Sequence, residues 1–278
     1  MSKRHNADSL GERTSHLSRV VLLGCSLLHL AGCASAPPSA GAPFRSPPRA
    51  GGTAPIGVVR TIVIDAGHGG QDPGTSHYGL REKTMALDIA KRLRNRLQQA
   101  GLRVVMTRET DQFIPLSRRP AIANRLQADL FVSIHINANP NRGVTGSEVY
   151  YPRVSVVSSD ANWPPGILAS EIGIPSTTVK DVLWDFVLRK TRLQSRRLAS
   201  SIGRSLRSGL PTPYHGSKAA RFVVLRESWM PSVLVEVGYV TNRAEAQRLA
   251  TPEYREAASG LVADGILAYI RDVQAQDI

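Results

Sequence analysis

Apolar residues between positions 60 and 273 fall into short runs separated by stretches of helical spacing. Six runs read as strands: "RTIVIDA" (60–66), "LRVVMTR" (102–108), "DLFVSIHI" (129–136), "GSEVYY" (146–151), "ARFVVL" (220–225) and "PSVLVEV" (231–237). The fourth reads as half exposed. Residues 82–100 predict a helix, because Met85, Ile89, Leu93 and Leu97 recur every four positions and Gly101 follows as a stop. Further helices are expected over 115–127, 177–208 (with a strongly basic face), 243–250 and 252–273. This alternation predicts one α/β domain with a mostly parallel sheet flanked by helices.

The first residues carry a different pattern. Lys3, Arg4, Arg13 and Arg19 precede "VVLLGCSLLHLAGC" (20–33), a basic start and a short apolar run of the kind that directs export. The run is too short and interrupted for a convincing membrane span. Leu30, Ala31, Gly32 and Cys33 resemble a bacterial lipoprotein processing box, which implies cleavage before Cys33 and lipidation of that cysteine. An ordinary signal with a nearby cysteine, or an uncut anchor, are the alternatives. The chain has two cysteines, Cys25 and Cys33. Removal of residues 1–32 leaves Cys33 unpaired, and lipidation accounts for it. Residues 33–57 are rich in Pro, Ala, Gly and Ser and read as a flexible tether, with the folded domain over 58–278. Ala34 beside Cys33 resembles lipoproteins sorted to the outer membrane. The expected location is therefore its periplasmic face, or the outer cell surface where there is one membrane.

Composition sharpens the choice of partner. The 278 residues are 42% hydrophobic and 21% charged, enough for a real core. Net charge is +13, and +11 once the leader is removed. Such a balance favours acidic partners, although a solvated basic surface explains it equally well. The charges are scattered, without the aromatic-basic interleaving that binds single strands, so no nucleic-acid partner is expected.

Candidate chemistry sits where strands end, the position of sites in open α/β sheets. His68 follows the first strand among the glycines of "DAGHGG", His135 ends "LFVSIH" and Glu236 ends "PSVLVE". Glu82 opens the first long helix, where dipole complementarity alone would also place it. Two histidines and a carboxylate suit zinc, leaving a position for water. A carboxylate off the metal can then carry a proton to the leaving group. The H-E-x-x-H signature is absent, and each histidine taken singly reads more readily as structural.

Several stretches together resemble one family. "TIVIDAGHGGQDPG", "LREKTMAL", "VVMTRETDQFIPLSRRPAIAN", "ADLFVSIHINAN", "GSEVYY" and "PSVLVEVGYVTNRAEAQRL" are similar to the zinc-dependent N-acetylmuramoyl-L-alanine amidases of the type-3 family, over about residues 60–275. The resemblance implies a sheet of about six strands. It also implies hydrolysis of the amide between N-acetylmuramic acid and L-alanine in peptidoglycan, in wall turnover or daughter-cell separation. Carried over by position, His68, Glu82 and His135 match the zinc ligands and Glu236 the catalytic glutamate. In some relatives a segment near residues 152–177 covers the zinc until an activator protein moves it. That stretch, with Glu171, could do so here, or could be only a groove wall.

Other residues have plain readings beside functional ones. Asp65 could orient a ligand or bond a backbone turn. Asp72 and His77, in the loop after the glycines, could touch substrate or be solvated loop residues. Arg108, Arg118 and Asn124 match family motif positions, but packing and ion pairs explain them too. Asn137 could bond substrate or close its strand, and Arg226 could face a stem-peptide carboxylate or form a surface pair. His215 has no evident partner. Three functions stay open: a zinc amidase, an inactive relative that only holds peptidoglycan, and a zinc peptidase that cuts within the stem peptide.

Overall fold

The computed structural model describes residues 59–153 and 177–276. The expected leader, Cys33, the tether and Glu171 lie outside these residues. In chain order the elements are β1 (Thr61–Ala66), β2 (Ser76–His77), β3 (Leu80–Arg81), α1 (Glu82–Gln99), β4 (Arg103–Met106), α2 (Arg118–Arg125), β5 (Leu130–Asn137) and β6 (Ser147–Pro152). They continue with α3 (Thr177–Gly209), β7 (Tyr214–Ala220), α4 (Val223–Arg226), β8 (Ser232–Tyr239), α5 (Arg243–Ala250) and α6 (Pro252–Gln276). Six strands form one sheet in the order β4-β1-β5-β8-β6-β7, and β2 and β3 form a small separate hairpin. The pairs β4–β1, β1–β5 and β5–β8 are parallel, β6 runs antiparallel to β8, and β7 is parallel to β6.

Both sheet faces are covered, so the central strands are apolar throughout rather than alternating. Ile62, Ile64, Leu130, Val132, Val233 and Val235 face the larger core, built with α1, α3 and α6 through residues such as Leu93, Leu97, Ile202 and Ile266. Val63, Phe131 and Leu234 point the other way, into a smaller core with Ala123 of α2 and Val224 and Leu225 of α4. Helix ends follow local chemistry. Gly101 takes the left-handed conformation after α1 (φ 84°). The Asn242 side chain caps α5 by accepting from the Glu245 amide. Pro252 opens α6, where its missing N–H costs nothing. Among the described residues no helix is long and apolar enough to cross a membrane.

Three expectations are corrected. "ARFVVL" is not a strand. The strand is the polar "YHGSKAA" just before it, and Val223–Arg226 form a short helix burying Val224 and Leu225. An apolar run of four has no period to separate the two conformations. β7 needs no apolar face because it is the sheet edge. β6 is not half exposed on its own. It lies between β8 and β7, with Ser147, Glu148, Val149 and Pro152 buried. The second helix is also shorter than expected, starting at Arg118 rather than Pro115.

Candidate metal and catalytic site

The site begins where β1 runs out. Gly67 still donates its amide to Ile134 O (3.0 Å), so the chain stays beside β5 for one more residue. A Cβ on Gly67 would lie 2.6 Å from Nε2 of His135, so only glycine lets that ring stand there. His68 then takes a left-handed backbone (φ 57°), followed by Gly69 (φ 126°) and Gly70 (φ 58°). For a non-glycine residue this conformation costs about 1–2 kcal/mol, and surrounding bonds must hold it.

Two buried arginines do so. Arg108, 1% exposed, donates to the carbonyls of Ala66 (2.9 Å), Gly67 (2.7 Å) and Lys83 (2.8 Å). Arg119, 2% exposed, donates to the carbonyls of Ala66 and His68 (both 2.9 Å) and to Asp65 Oδ1 (2.9 Å). Asp65 also accepts from Thr107 and Ser133 (both 2.7 Å). It therefore anchors the arginine rather than a histidine.

Glu82, buried at the first turn of α1, is the hub. Its Oε1 is 2.9 Å from His135 Nδ1 and 3.1 Å from His68 Nε2, and it accepts the Ile136 amide at 3.1 Å. Its Oε2 accepts the Thr75 amide at 2.9 Å. Burial alone would raise the Glu82 pKa, but the hydrogen bonds from the two histidines outweigh it and hold the carboxyl well below its ordinary range. Burial likewise pulls His68 down, and the carboxylates of Glu82 and Asp72 turn the net shift upward. Asp72 Oδ2 lies 2.7 Å from His68 Nδ1, so the outer nitrogen is engaged and Nε2 is aimed inward. The loop reading of Asp72 is thus replaced by an orienting one.

One ligand atom each from His68, Glu82 and His135 lies within 4.8 Å of the others. Two imidazole nitrogens and a carboxylate oxygen are a donor set that zinc accepts, with a coordination position to spare. Gly67→Ala is expected to push the His135 ring out of this cluster and cut zinc affinity at least tenfold, as competition against a chromophoric chelator would measure. Retained affinity would mean that the ring relocates without cost.

Glu236 stands one strand away. Its Cα pairs with His135 on one side and Glu148 on the other. Its Oε2 is shut off from solvent and has no hydrogen-bond partner among the described residues. Burial, then the charges of Glu82 and Glu148, push its pKa well above the ordinary carboxyl value. An acid with one oxygen desolvated and unpaired beside a metal-competent cluster is a candidate proton carrier.

The remaining residues sort themselves by contact. Arg118 is exposed, and its neighbour Arg119 is the buried one. Asn124 ties α2 to the loop before β8 through Glu227 O and the Trp229 amide. Asn137 bonds the next amide, Ala138, and closes its strand. Arg226 pairs with Glu227 at the surface, and His215 Nε2 meets Thr145 O. Lys83 bridges Gly70 O and Asp111, which also accepts from the Gly70 amide. Buried Glu245 accepts the amides of Gly146 and Tyr239, and buried Glu148 lies on β6. Sequence reasoning passes over Lys83, Arg119, Glu148 and Glu245 because their partners are distant in the chain.

An open α/β sheet with this donor set at its carboxyl edge, and a spare glutamate alongside, has the parts of a hydrolytic active site. The Amidase_3 family model, N-acetylmuramoyl-L-alanine amidase, matches residues 62–268, and the chain belongs to that family. The N-acetylmuramoyl-L-alanine amidase LytC of Bacillus subtilis (strain 168) is 37% identical over 214 residues, which are 77% of this chain and 36% of LytC. The chain thus spans about a third of that relative's length. The N-acetylmuramoyl-L-alanine amidase AmiA of Escherichia coli (strain K12) is 32% identical over 222 residues, covering 77% of each chain. Among solved structures, the N-acetylmuramoyl-L-alanine amidase AmiC2 of Nostoc punctiforme matches with a TM-score of 0.61 at 34% identity, over 76% of this chain and 97% of that one. The six-stranded, mostly parallel architecture matches this neighbour.

Proposed function

We propose that this protein is a zinc-dependent N-acetylmuramoyl-L-alanine amidase that removes stem peptides from peptidoglycan glycan strands. The observation that carries the reading is the convergence of His68, Glu82 and His135 beside the unpaired Glu236, within a chain of this amidase family. His68 Nε2, His135 Nδ1 and a Glu82 oxygen would hold the zinc. Bound there, zinc supplies a Lewis acid for the amide carbonyl and lowers the pKa of a water.

The chain's own residues do the rest. Asp72 fixes the His68 ring, and Arg108 and Arg119 fix the loop that carries it. Glu236 takes the proton of the attacking water at Oε2 and delivers it to the L-alanine nitrogen as the C–N bond breaks. The desolvated Oε2 and the neighbouring Glu82 and Glu148 charges raise its basicity, so the ionised form takes the water's proton readily and keeps it until the nitrogen leaves. Lipidation at Cys33 and a tether over 33–57 would keep the domain near the periplasmic face of an outer membrane. No separate wall-binding element is then required.

Digestion of purified peptidoglycan, read by mass spectrometry, tests the reading. The expected products are peptide-free glycan and stems with an L-alanine amine. Cuts inside the stem would instead make the protein a peptidase. Zinc should also stabilise the chelated protein. An excess of 100 times the dissociation constant is worth about 2.7 kcal/mol, which thermal unfolding resolves as a rise of several degrees. Magnesium, a poor match for imidazole, should leave the midpoint where it was.

A further inference from the structure

The β6–β8 register sets Glu148 directly across from Glu236, on the same sheet face. Glu148 is 3% exposed and carries a full set of donors. Its Oε1 accepts from Lys218 Nζ (2.6 Å) and the Tyr239 hydroxyl (2.9 Å), and its Oε2 accepts from the Tyr150 hydroxyl. Burial alone would raise its pKa, but the three donors outweigh it and keep Glu148 ionised. An anion placed against a second carboxyl is costly, and packing alone would be better served by a neutral side chain. What it gains is control of Lys218. That side chain comes from the edge strand β7, where it pairs with Tyr150, and it is 45% exposed. Its ammonium has three donors, and Glu148 takes one. Its β6 pairing partner Tyr150 meets the exposed Phe222 ring edge-on, with centroids 5.2 Å apart.

A cation pinned by a buried acid that is itself one strand from the proposed proton carrier, and next to an aromatic shelf, is a site for a carboxylate attached to a small apolar group. We propose that Lys218, held by Glu148 beside Tyr150 and Phe222, binds the free α-carboxylate of the second stem-peptide residue and selects substrates in which that group is not amidated. This rests on the amidase reading. Reach supports it. Strands lie about 4.8 Å apart, and the ammonium is bonded to Glu148, the residue directly across from Glu236, so it lies within roughly two strand spacings, about 10 Å, of Glu236. Each extended residue spans about 3.5 Å, so the acid of the second residue lies roughly 7 Å from the scissile bond. Among the acidic groups of a stem it is the nearest to that bond, and the L-alanine methyl between them would rest on the aromatic shelf.

The test uses the full chain and two synthetic muropeptides that differ only in a second residue of D-glutamate or D-isoglutamine. The expected result is a KM about tenfold lower for the free acid, eroded by salt. In Lys218→Met the KM for the free acid rises until the two substrates are cleaved alike, and Lys218→Arg restores the preference. A wild-type enzyme that does not discriminate overturns the proposal. So does a Lys218→Met variant that loses turnover equally on both substrates, because the lysine would then serve only to neutralise Glu148. Failure to cleave either muropeptide at the lactyl amide would overturn the amidase reading itself.

Discussion

Glu236→Gln is expected to lower amide hydrolysis by about 10²–10⁴-fold, the range of a positioned general base, while raising the stability of the chelated protein. The two effects have one cause. The wild-type carboxyl has its Oε2 shut off from solvent and unpaired and is faced by Glu82 and Glu148, so its folded-state pKa lies above the unfolded one. Below the ordinary glutamate pKa of about 4.3 the group is protonated in both states, and its contribution to stability is fully present. As pH rises toward the folded pKa, only the unfolded state releases the proton, and stability drains away. Glutamine has no proton to lose. Urea unfolding between pH 5 and pH 8 should therefore show the variant gaining on the wild type as pH increases. A constant difference would mean that Glu236 is solvated and ordinary, and the case for it as proton carrier would fail with that result.

Arg119→Met is the second large effect, and it acts on the fold. Arg119 and Asp65 form a buried pair, 2% and 0% exposed at their side chains, and the guanidinium also supports three loop carbonyls. Removing one member leaves a bare buried charge, which costs about 3–5 kcal/mol. Folded domains have a total of about 5–15 kcal/mol, so the urea midpoint should fall sharply. Asp65→Asn in the same chain should recover part of the loss, because the orphaned charge goes with it. Zinc affinity should stay weakened in the double variant. The bond to His68 O is still missing there, and the left-handed turn has lost its anchor. A loss below about 1 kcal/mol would show that water replaces the guanidinium, as it does for pairs at the surface.

His68, Glu82, His135 and Glu236 stand out in the sequence because each is a polar side chain beside the end of an apolar run. His68 follows β1 and Glu82 opens α1, whereas β5 and β8 run on past His135 and Glu236 to Asn137 and Tyr239. The layers were legible for the same reason, since periods of two and of nearly four are local properties of the chain. What was not legible depends on contacts between distant segments. Arg118 and Arg119 are neighbours with the same side chain, and only the seating of α2 on the β1 loop decides which is buried. Glu148 and Lys218 are 70 residues apart and meet only because β7 adds to the edge of the sheet beside β6. "FVVL" was misassigned because four apolar residues fit either conformation, and the smaller core that selects the helix is assembled from β1, β5, β8 and α2.

The place of α6 has a consequence for how the chain is made. These 25 residues come last, yet they close the larger core against α1 and α3, and β8, next to β5 in the sheet, comes only shortly before them. A nascent chain lacking them leaves Leu93, Leu97 and Ile202 without their cover, and its sheet is missing a middle strand. Stable structure therefore waits for β8 and α6, and the slow non-local pairing of β5 with β8 comes late. A polypeptide whose central strand arrives so late cannot lock early, and it stays open to chaperones and proteases while it is being made.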